Sequence, residues 1–175
     1  MLDACVLINL EASAEMQSIL EAEHASFAVV DAVIGEALFL RAEDEGQDHE
    51  PIDVRRVVRD NGLEVLSIGS TEETELFVNL AAELDDGEAM SMAIAIARSF
   101  RFATDDKKAR RVFAEVVNDP ARLVSTPSLV RKWAERFTKN EESRVAGALR
   151  RIRSRARFVP PASDPDYDWW MTQPQ

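Results

Sequence analysis

Cysteine and histidine are scarce in this sequence, and their scarcity argues against several kinds of site. Cys5 is the only cysteine, which excludes an internal disulfide, and we interpret it as a small buried hydrophobe. His24 and His49 are the only histidines. Zinc sites, histidine general bases and catalytic triads therefore find little support, and any catalytic group has to be sought among other residue types.

Long apolar runs are also missing. No stretch approaches the roughly 20 apolar residues that a helix needs to cross a bilayer. No charged region precedes an apolar stretch at the N-terminus, so we expect no signal peptide. A cytoplasmic protein without a membrane partner is the simplest expectation. The 175 residues, 46% of them hydrophobic, are enough for one domain with a core and an extension.

Negative charge predominates along most of the chain. The formal net charge is −11, which argues against a general basic surface for nucleic acid. Residues 131–157 are the exception, with ten Lys or Arg and only three Asp or Glu. Two interpretations remain open for this segment: a basic arm that binds a partner, or the solvated face of an amphipathic helix.

Short apolar runs alternate with helical patterns, which predicts an α/β fold. Predicted strands cover residues 2–8 (leading into a helix that ends near residue 23), 27–30, 63–68, 102–104 and 122–125. Predicted helices cover residues 32–41, 53–59, 71–84, 89–100 and 107–117, with a loop over 43–50. This order implies a mainly parallel sheet with helices on both faces. We expect a domain over residues 1–126, followed by a helical extension and tail over 127–175, with helices at 127–138 and 141–155.

Acidic residues follow several of the predicted strands. Asp3 follows the first strand, Asp31 and Glu36 follow the second, and Asp105 and Asp106 follow a later one. The carboxyl ends of parallel strands meet at one edge of a sheet, where ligands usually bind. Carboxylates repel phosphate, but they hold Mg²⁺ or Mn²⁺, and two such ions can stabilise both reacting oxygens of a phosphodiester. The pattern therefore favours metal-dependent phosphodiester chemistry.

Several of these acids also have a purely structural interpretation. Asp3 would cap the first helix, and Glu36 would favour the dipole of a helix in its first turn. The spacing of Asp85 and Glu88 is similar to a capping box, with Asp86 as an alternative cap. What favours a site is that acids far apart in sequence are expected at the same sheet edge.

Four segments, in order, resemble the PIN domain as it occurs in VapC-type toxins. They are LDACVLINL at residues 2–10, VVDAVIGEA at 29–37, DGEA at 86–89 and ATDDKKAR at 103–110. The resemblance covers roughly residues 1–126. It implies a PIN-like parallel sheet flanked by helices, in agreement with the fold class predicted from the alternating pattern.

The resemblance also implies a set of metal ligands. The implied quartet consists of Asp3, Glu36, Glu88 and Asp106. Asp86 is the alternative to Glu88, and Asp105 is the alternative to Asp106, with one of that last pair expected to cap the following helix.

Two further polar residues have expected supporting roles. Thr104 is expected beside the metal or the attacking water. Asn9 either orients Asp3 or is simply a polar group on the first helix; both interpretations remain open.

The implied function is that of a Mg²⁺- or Mn²⁺-dependent endoribonuclease, which hydrolyses RNA and leaves a 5′-phosphate and a 3′-hydroxyl. If the protein is the toxin of a toxin–antitoxin pair, the family implies a cognate antitoxin and a homodimer. The alternative is a non-catalytic PIN-like module that binds a protein partner.

The C-terminal extension gives two further expectations. Its charge alone suggests RNA contacts from Arg144, Arg150, Arg151, Arg153 and Arg155. For the tail with Trp169 and Trp170, we favour packing against the chain's own domain over covering an interface.

Overall fold

Helices and short strands alternate along the chain in the computed structural model, which describes residues 1–42, 49–137 and 142–174. The helices are α1 (Ala4–Ser13), α2 (Met16–Ala22), α3 (Asp31–Gly35), α4 (Val54–Asp60), α5 (Thr71–Leu80), α6 (Asp86–Ala97), α7 (Lys107–Val116), α8 (Thr126–Ala134), α9 (Glu142–Arg151), which continues as a π-helical turn (Ile152–Ala156), and α10 (Tyr167–Thr172). The strands are β1 (Ala28–Val30), β2 (Phe39–Arg41), β3 (His49–Pro51), β4 (Glu64–Leu66), β5 (Phe102–Ala103) and β6 (Leu123–Val124).

Two pairs of parallel strands flank Leu2, near the start of the chain. β1 pairs in parallel with β4, and β5 pairs in parallel with β6. Leu2 joins the two pairs: its N–H donates to the carbonyl of Ala28 at 2.8 Å, and it forms a parallel bridge with Ala103. The carboxyl ends of these strands therefore lie at one edge, and the expected α/β class with parallel strands is confirmed.

Helix α6 packs against the parallel strands and is mostly buried. Its sequence is apolar on most faces, and Ala89, Met92 and Ile94 are fully buried. A helix that is apolar all round has to be covered on several sides. α6 contacts β1, β5, α3 and α5, so its N-terminal end is held at a fixed position relative to the strands.

The predicted helix over residues 32–41 is confirmed for residues 32–35 and is wrong beyond them. α3 ends at Gly35, and β2 forms an antiparallel pair with β3. The apolar run Ala37–Leu38–Phe39–Leu40 suits either a helix or a strand by composition, and pairing with β3 decides between them. The predicted loop over 43–50 is also wrong at residues 49–50, which belong to β3; residues 43–48 lie outside the described part of the chain.

The predicted N-terminal segment differs in two places. The strand is limited to the bridge at Leu2, because α1 begins directly at Ala4. The helix that was expected to continue to about residue 23 is two helices. It is interrupted at Ala14, which has a left-handed backbone (φ 56°), and α2 begins at Met16.

The C-terminal helices pack against α1 and α2. Trp133 on α8 is fully buried, and its indole N–H donates to Ser18 Oγ at 2.9 Å. Trp170 is only 2% exposed and meets the ring of Phe158 edge-on, at 5.8 Å between centroids. Trp169 is partly buried against the same core, so this part of the tail folds back on its own chain.

The two predicted C-terminal helices are present with shifted ends. The first, predicted over 127–138, is α8, and residue 138 lies outside the described residues. The second, predicted over 141–155, is α9 with its π-helical turn, and residue 141 is likewise outside. Within the described ranges, no helix has the length and apolar character that would let it span a membrane.

Candidate active site

Asp3 is a buried carboxylate at the carboxyl end of the Leu2 bridge. It caps α1, since its Oδ1 accepts from the N–H of Ala4 at 2.8 Å. Its Oδ2 accepts from Thr104 Oγ1 at 2.7 Å and from Cys5 Sγ at 3.2 Å, and the residue is 2% exposed. Burial raises the pKa of Asp3, and the charge of Asp85 acts in the same direction, while these hydrogen bonds lower it. The capping and site interpretations of Asp3 are therefore compatible.

Thr104 connects Asp3 to Asp106. The threonine is fully buried directly after β5, and while its hydroxyl donates to Asp3 it accepts from the N–H of Asp106 at 3.2 Å. Asp106 caps α7, because its Oδ1 accepts from the N–H groups of Lys108 and Ala109, both at 2.8 Å. One hydroxyl thus links the carboxylate of Asp3 to the backbone of Asp106.

Glu36 approaches the same region from the segment that follows α3. The sequence interpretation placed it in the first turn of a helix, but it follows α3 with an extended backbone (φ −74°, ψ 143°). A Cβ added at Gly87 would lie only 2.4 Å from Glu36 Oε1, so the carboxylate rests against the first turn of α6. Burial, followed by the charges of Asp85 and Asp3, raises the pKa of Glu36.

Glu88 lies in the first turn of α6 and is half-buried. Its N–H donates to Oδ1 of Asp85 at 2.8 Å, so Asp85, not Asp86, is the cap of this helix. Burial raises the pKa of Glu88 to about 7, and the charges of Asp85, Asp3 and Asp106 contribute in that order. Asp3, Asp85 and Asp106 therefore all lie within electrostatic reach of Glu88.

Asp85 is a member of this cluster that sequence reasoning treated only as a cap. Its charge contributes to the raised pKa of Asp3, Glu36 and Glu88. Asp86, which was considered as a ligand, is exposed, and its charge is not among the main influences on any of those three groups. The signal that marks Asp85 is its position: it caps a helix that begins at the sheet edge.

Asp105 has a different environment from Asp106. Its Oδ1 accepts from the N–H of Thr126 at 2.9 Å, and its Oδ2 accepts from Asn9 Nδ2 at 2.8 Å and from the hydroxyl of Thr126. These hydrogen bonds use both oxygens within the protein. Asn9 therefore hydrogen-bonds to Asp105 and Thr126 and not to Asp3, so the interpretation in which it orients Asp3, one of the two left open, is wrong.

Cys5 is more than a buried hydrophobe. It is half-buried, it donates from Sγ to Asp3, and it accepts from the N–H of Asp105 at 3.3 Å. Burial raises the pKa of the Cys5 thiol far above its ordinary value, and the charges of Asp3 and Asp105 add to this effect. Cys5 therefore remains a neutral thiol that supports the position of Asp3.

The carboxylate cluster consists of Asp3, Glu36, Asp85, Glu88 and Asp106. Across the part of the chain that the structure describes, no Lys or Arg forms an ion pair with any of these five. In those same residues, no three His, Cys, Asp or Glu side chains are close enough to enclose a metal ion as they stand. Like charges that lie near one another disfavour the ionised form of each carboxylate, and a bound cation removes this penalty. The oxygen-only donors and the uncompensated charge fit Mg²⁺ or Mn²⁺.

The arginines that were suggested as RNA contacts differ in their surroundings: three of them contact other parts of the chain, and two have exposed side chains. Arg151 donates from Nε to the carbonyl of Ser13 at 2.7 Å, and Arg155 pairs with Glu50. These contacts attach α9 and its π-helical turn to α1 and β3. Arg150 and Arg153 have exposed side chains. Arg144 pairs with Glu15 at 2.5 Å.

A comparison with models of protein families shows which family the chain belongs to. A family model described as a PIN domain (DUF3368) matches residues 1–117. The chain belongs to the PIN domain family. No curated protein and no solved structure matches it. The PIN domain match includes the whole carboxylate cluster and ends before β6, although β6 pairs with β5 in the same sheet. PIN domains are generally nucleases, so the cluster lies in a nuclease-type fold.

Proposed function

We propose that this PIN domain is a Mg²⁺- or Mn²⁺-dependent endoribonuclease. The observation that carries the proposal is the cluster of five carboxylates near the carboxyl ends of parallel strands, which forms no ion pair with any Lys or Arg among the described residues. The proposed ligands are Asp3, Glu36, Glu88 and Asp106. When bound, divalent ions supply positive charge for the phosphodiester and acidity for the attacking water.

The chain's own contribution is to hold these oxygens in place. Thr104 fixes Asp3 and Asp106 relative to each other through one hydroxyl. Asp85 holds the backbone of Glu88, and the absence of a side chain at Gly87 allows Glu36 to approach. Such supporting residues typically change metal affinity or activity by about 10- to 100-fold when they are altered.

The test is cleavage of a labelled RNA pool in Mg²⁺ or Mn²⁺ by the wild type and by Asp3→Asn. We expect metal-dependent cleavage that Asp3→Asn abolishes, because the amide cannot supply the carboxylate charge. Asp53→Asn is a matched control, since Asp53 also caps a helix but lies outside the cluster. If folded wild type cleaves no RNA with either metal, the non-catalytic binding module replaces the nuclease as our proposal.

The resemblance to VapC-type toxins adds finer elements to the proposal: a toxin role, a cognate antitoxin, a homodimer and a cytoplasmic location. Induced expression of the wild type in bacteria should then arrest growth, whereas Asp3→Asn should not. Growth that continues despite good expression of an active nuclease would contradict the toxin role and leave the nuclease proposal intact.

A further inference from the structure

The β2–β3 pair presents one exposed face of unusual composition. In an antiparallel pair, residues in register and residues two apart along a strand share a face. Phe39 is in register with Pro51, and Arg41 is in register with His49, so these four residues form one face. All four are exposed, whereas Leu40 on the opposite face is buried. The exposed face therefore carries two aromatic rings and a guanidinium, without a carboxylate.

The rings of this face lie next to each other. Phe39 and His49 are 6.2 Å apart between centroids, with an interplanar angle of 74°, and Phe39 is 47% exposed. Aromatic rings and arginine side chains are the groups on which unpaired bases stack in proteins that bind single-stranded RNA.

The opposite face of the β2–β3 pair is attached to the π-helical turn at the end of α9. Arg155 pairs with Glu50 and donates from Nε to the carbonyl of Arg41 at 3.5 Å. The π-helical turn that contains Arg155 contacts β2. The face is therefore supported from behind, and little ordering is needed when a ligand binds.

This face lies close to the carboxylate cluster along the chain. Phe39 is three residues after Glu36, so their Cα atoms are at most about 11 Å apart. The N–H of Leu38 donates to the carbonyl of Glu36 at 3.2 Å, which shortens the connection further. With stacked nucleotides about 3.4 Å apart, a base on Phe39 is within about three nucleotides of a phosphate at Glu36.

We propose that the face formed by Phe39, Arg41, His49 and Pro51 stacks unpaired bases of single-stranded RNA beside the carboxylate cluster. This inference rests on the proposed function and adds a surface that positions the substrate beside the cluster. A chain with net charge −11 repels phosphate over much of its surface, so local stacking supplies attraction that does not depend on phosphate. A duplex keeps its bases paired and cannot use such a face.

The test measures binding in EDTA, where the proposed cleavage cannot occur, by fluorescence anisotropy. The probes are a short labelled oligoadenylate, a strand of the same length made of abasic nucleotides, and the matching duplex. Phe39→Ala should weaken oligoadenylate binding about 5- to 100-fold, in line with the loss of one stacked base. Abasic binding should not change, and Phe39→Tyr should bind oligoadenylate as the wild type does.

Val78→Ala is the matched control, because Val78 is an exposed apolar residue on α5. It should leave every affinity unchanged. The inference is overturned if the wild type binds no single strand, if Phe39→Ala binds oligoadenylate normally, or if it loses equal affinity for the abasic strand. If Phe39→Ala binds oligoadenylate with normal affinity, we would assign this face to the binding of a protein partner instead. The cleavage assay on Asp3→Asn is separate, so either proposal can fail alone.

Discussion

The raised pKa of Glu88 gives the carboxylate cluster a measurable effect on stability. Burial and three neighbouring carboxylates raise this pKa from 4.5 to about 7. Between these values the folded state binds more protons at Glu88 than the unfolded chain does. The free energy of unfolding therefore falls as pH rises through this window, which is opposite to the effect of an ion-paired carboxylate.

Glu88→Gln removes this titration while keeping the shape of the side chain. One pKa unit corresponds to about 1.4 kcal/mol, so the full shift would be worth about 3 kcal/mol. Because Glu88 is only half-buried, solvent screens part of this energy, and we expect the wild type to lose about 1 to 2 kcal/mol relative to the variant between pH 5 and pH 8. Urea unfolding in EDTA at these two pH values measures the difference. Mg²⁺ at pH 8 should reduce it by stabilising only the wild type.

Glu72→Gln is the matched control, because Glu72 is an exposed glutamate in the first turn of α5. Its difference from the wild type should be the same at both pH values. If the difference for Glu88→Gln is also constant to within about 0.5 kcal/mol, burial and the neighbouring carboxylates do not raise the pKa of Glu88 as the geometry indicates, and the reasoning fails.

Three other changes test other parts of the structure. Gly87→Ala places a methyl group against the Glu36 carboxylate, so RNA cleavage should fall about tenfold or more, while the melting temperature does not fall because alanine favours a helix. Normal cleavage would contradict this. Hydrogen bonds from Arg98 lower the pKa of Glu73 to about 2. Glu73→Gln removes the negative charge and one of the two oxygens that accept from Arg98, and should reduce the free energy of unfolding at pH 7 by about 1 to 3 kcal/mol. That stabilisation exists above pH 4.5 and is lost as pH falls towards 2, so urea unfolding at pH 3 should show a smaller loss; a constant loss would contradict the ion-pair explanation. Trp170→Ala should reduce the free energy of unfolding by about 3 to 5 kcal/mol in the same assay, because the ring is buried; a loss below about 1 kcal/mol would mean that the tail is not part of the core.

The sequence was sufficient to predict the alternation of strands and helices and the edge at which acids gather. Asp3 and Asp106 follow strand positions that can be recognised from short apolar runs, and parallel pairing places them together. The family resemblance also pointed to the first turn of α6, where Glu88 lies. These predictions depend on local patterns and on the general geometry of parallel sheets.

Other features depend on contacts between distant residues, which local patterns do not contain. Phe39 lies in a strand and not a helix because β3 pairs with it. Asn9 holds Asp105 because α1 and α8 meet there, more than a hundred residues apart in the chain. Asp85 and Asp86 are adjacent and chemically identical, and only the backbone at the start of α6 decides which one caps the helix.

The central claim is that the carboxylate cluster binds divalent ions, and Mn²⁺ binding by calorimetry tests it most directly. The titration compares the wild type, Asp3→Asn and the capping control Asp53→Asn at neutral pH. The account predicts saturable binding by the wild type and by Asp53→Asn, and at least about tenfold weaker binding by Asp3→Asn. Equal Mn²⁺ affinity in all three proteins, or no saturable binding by the folded wild type, would contradict it.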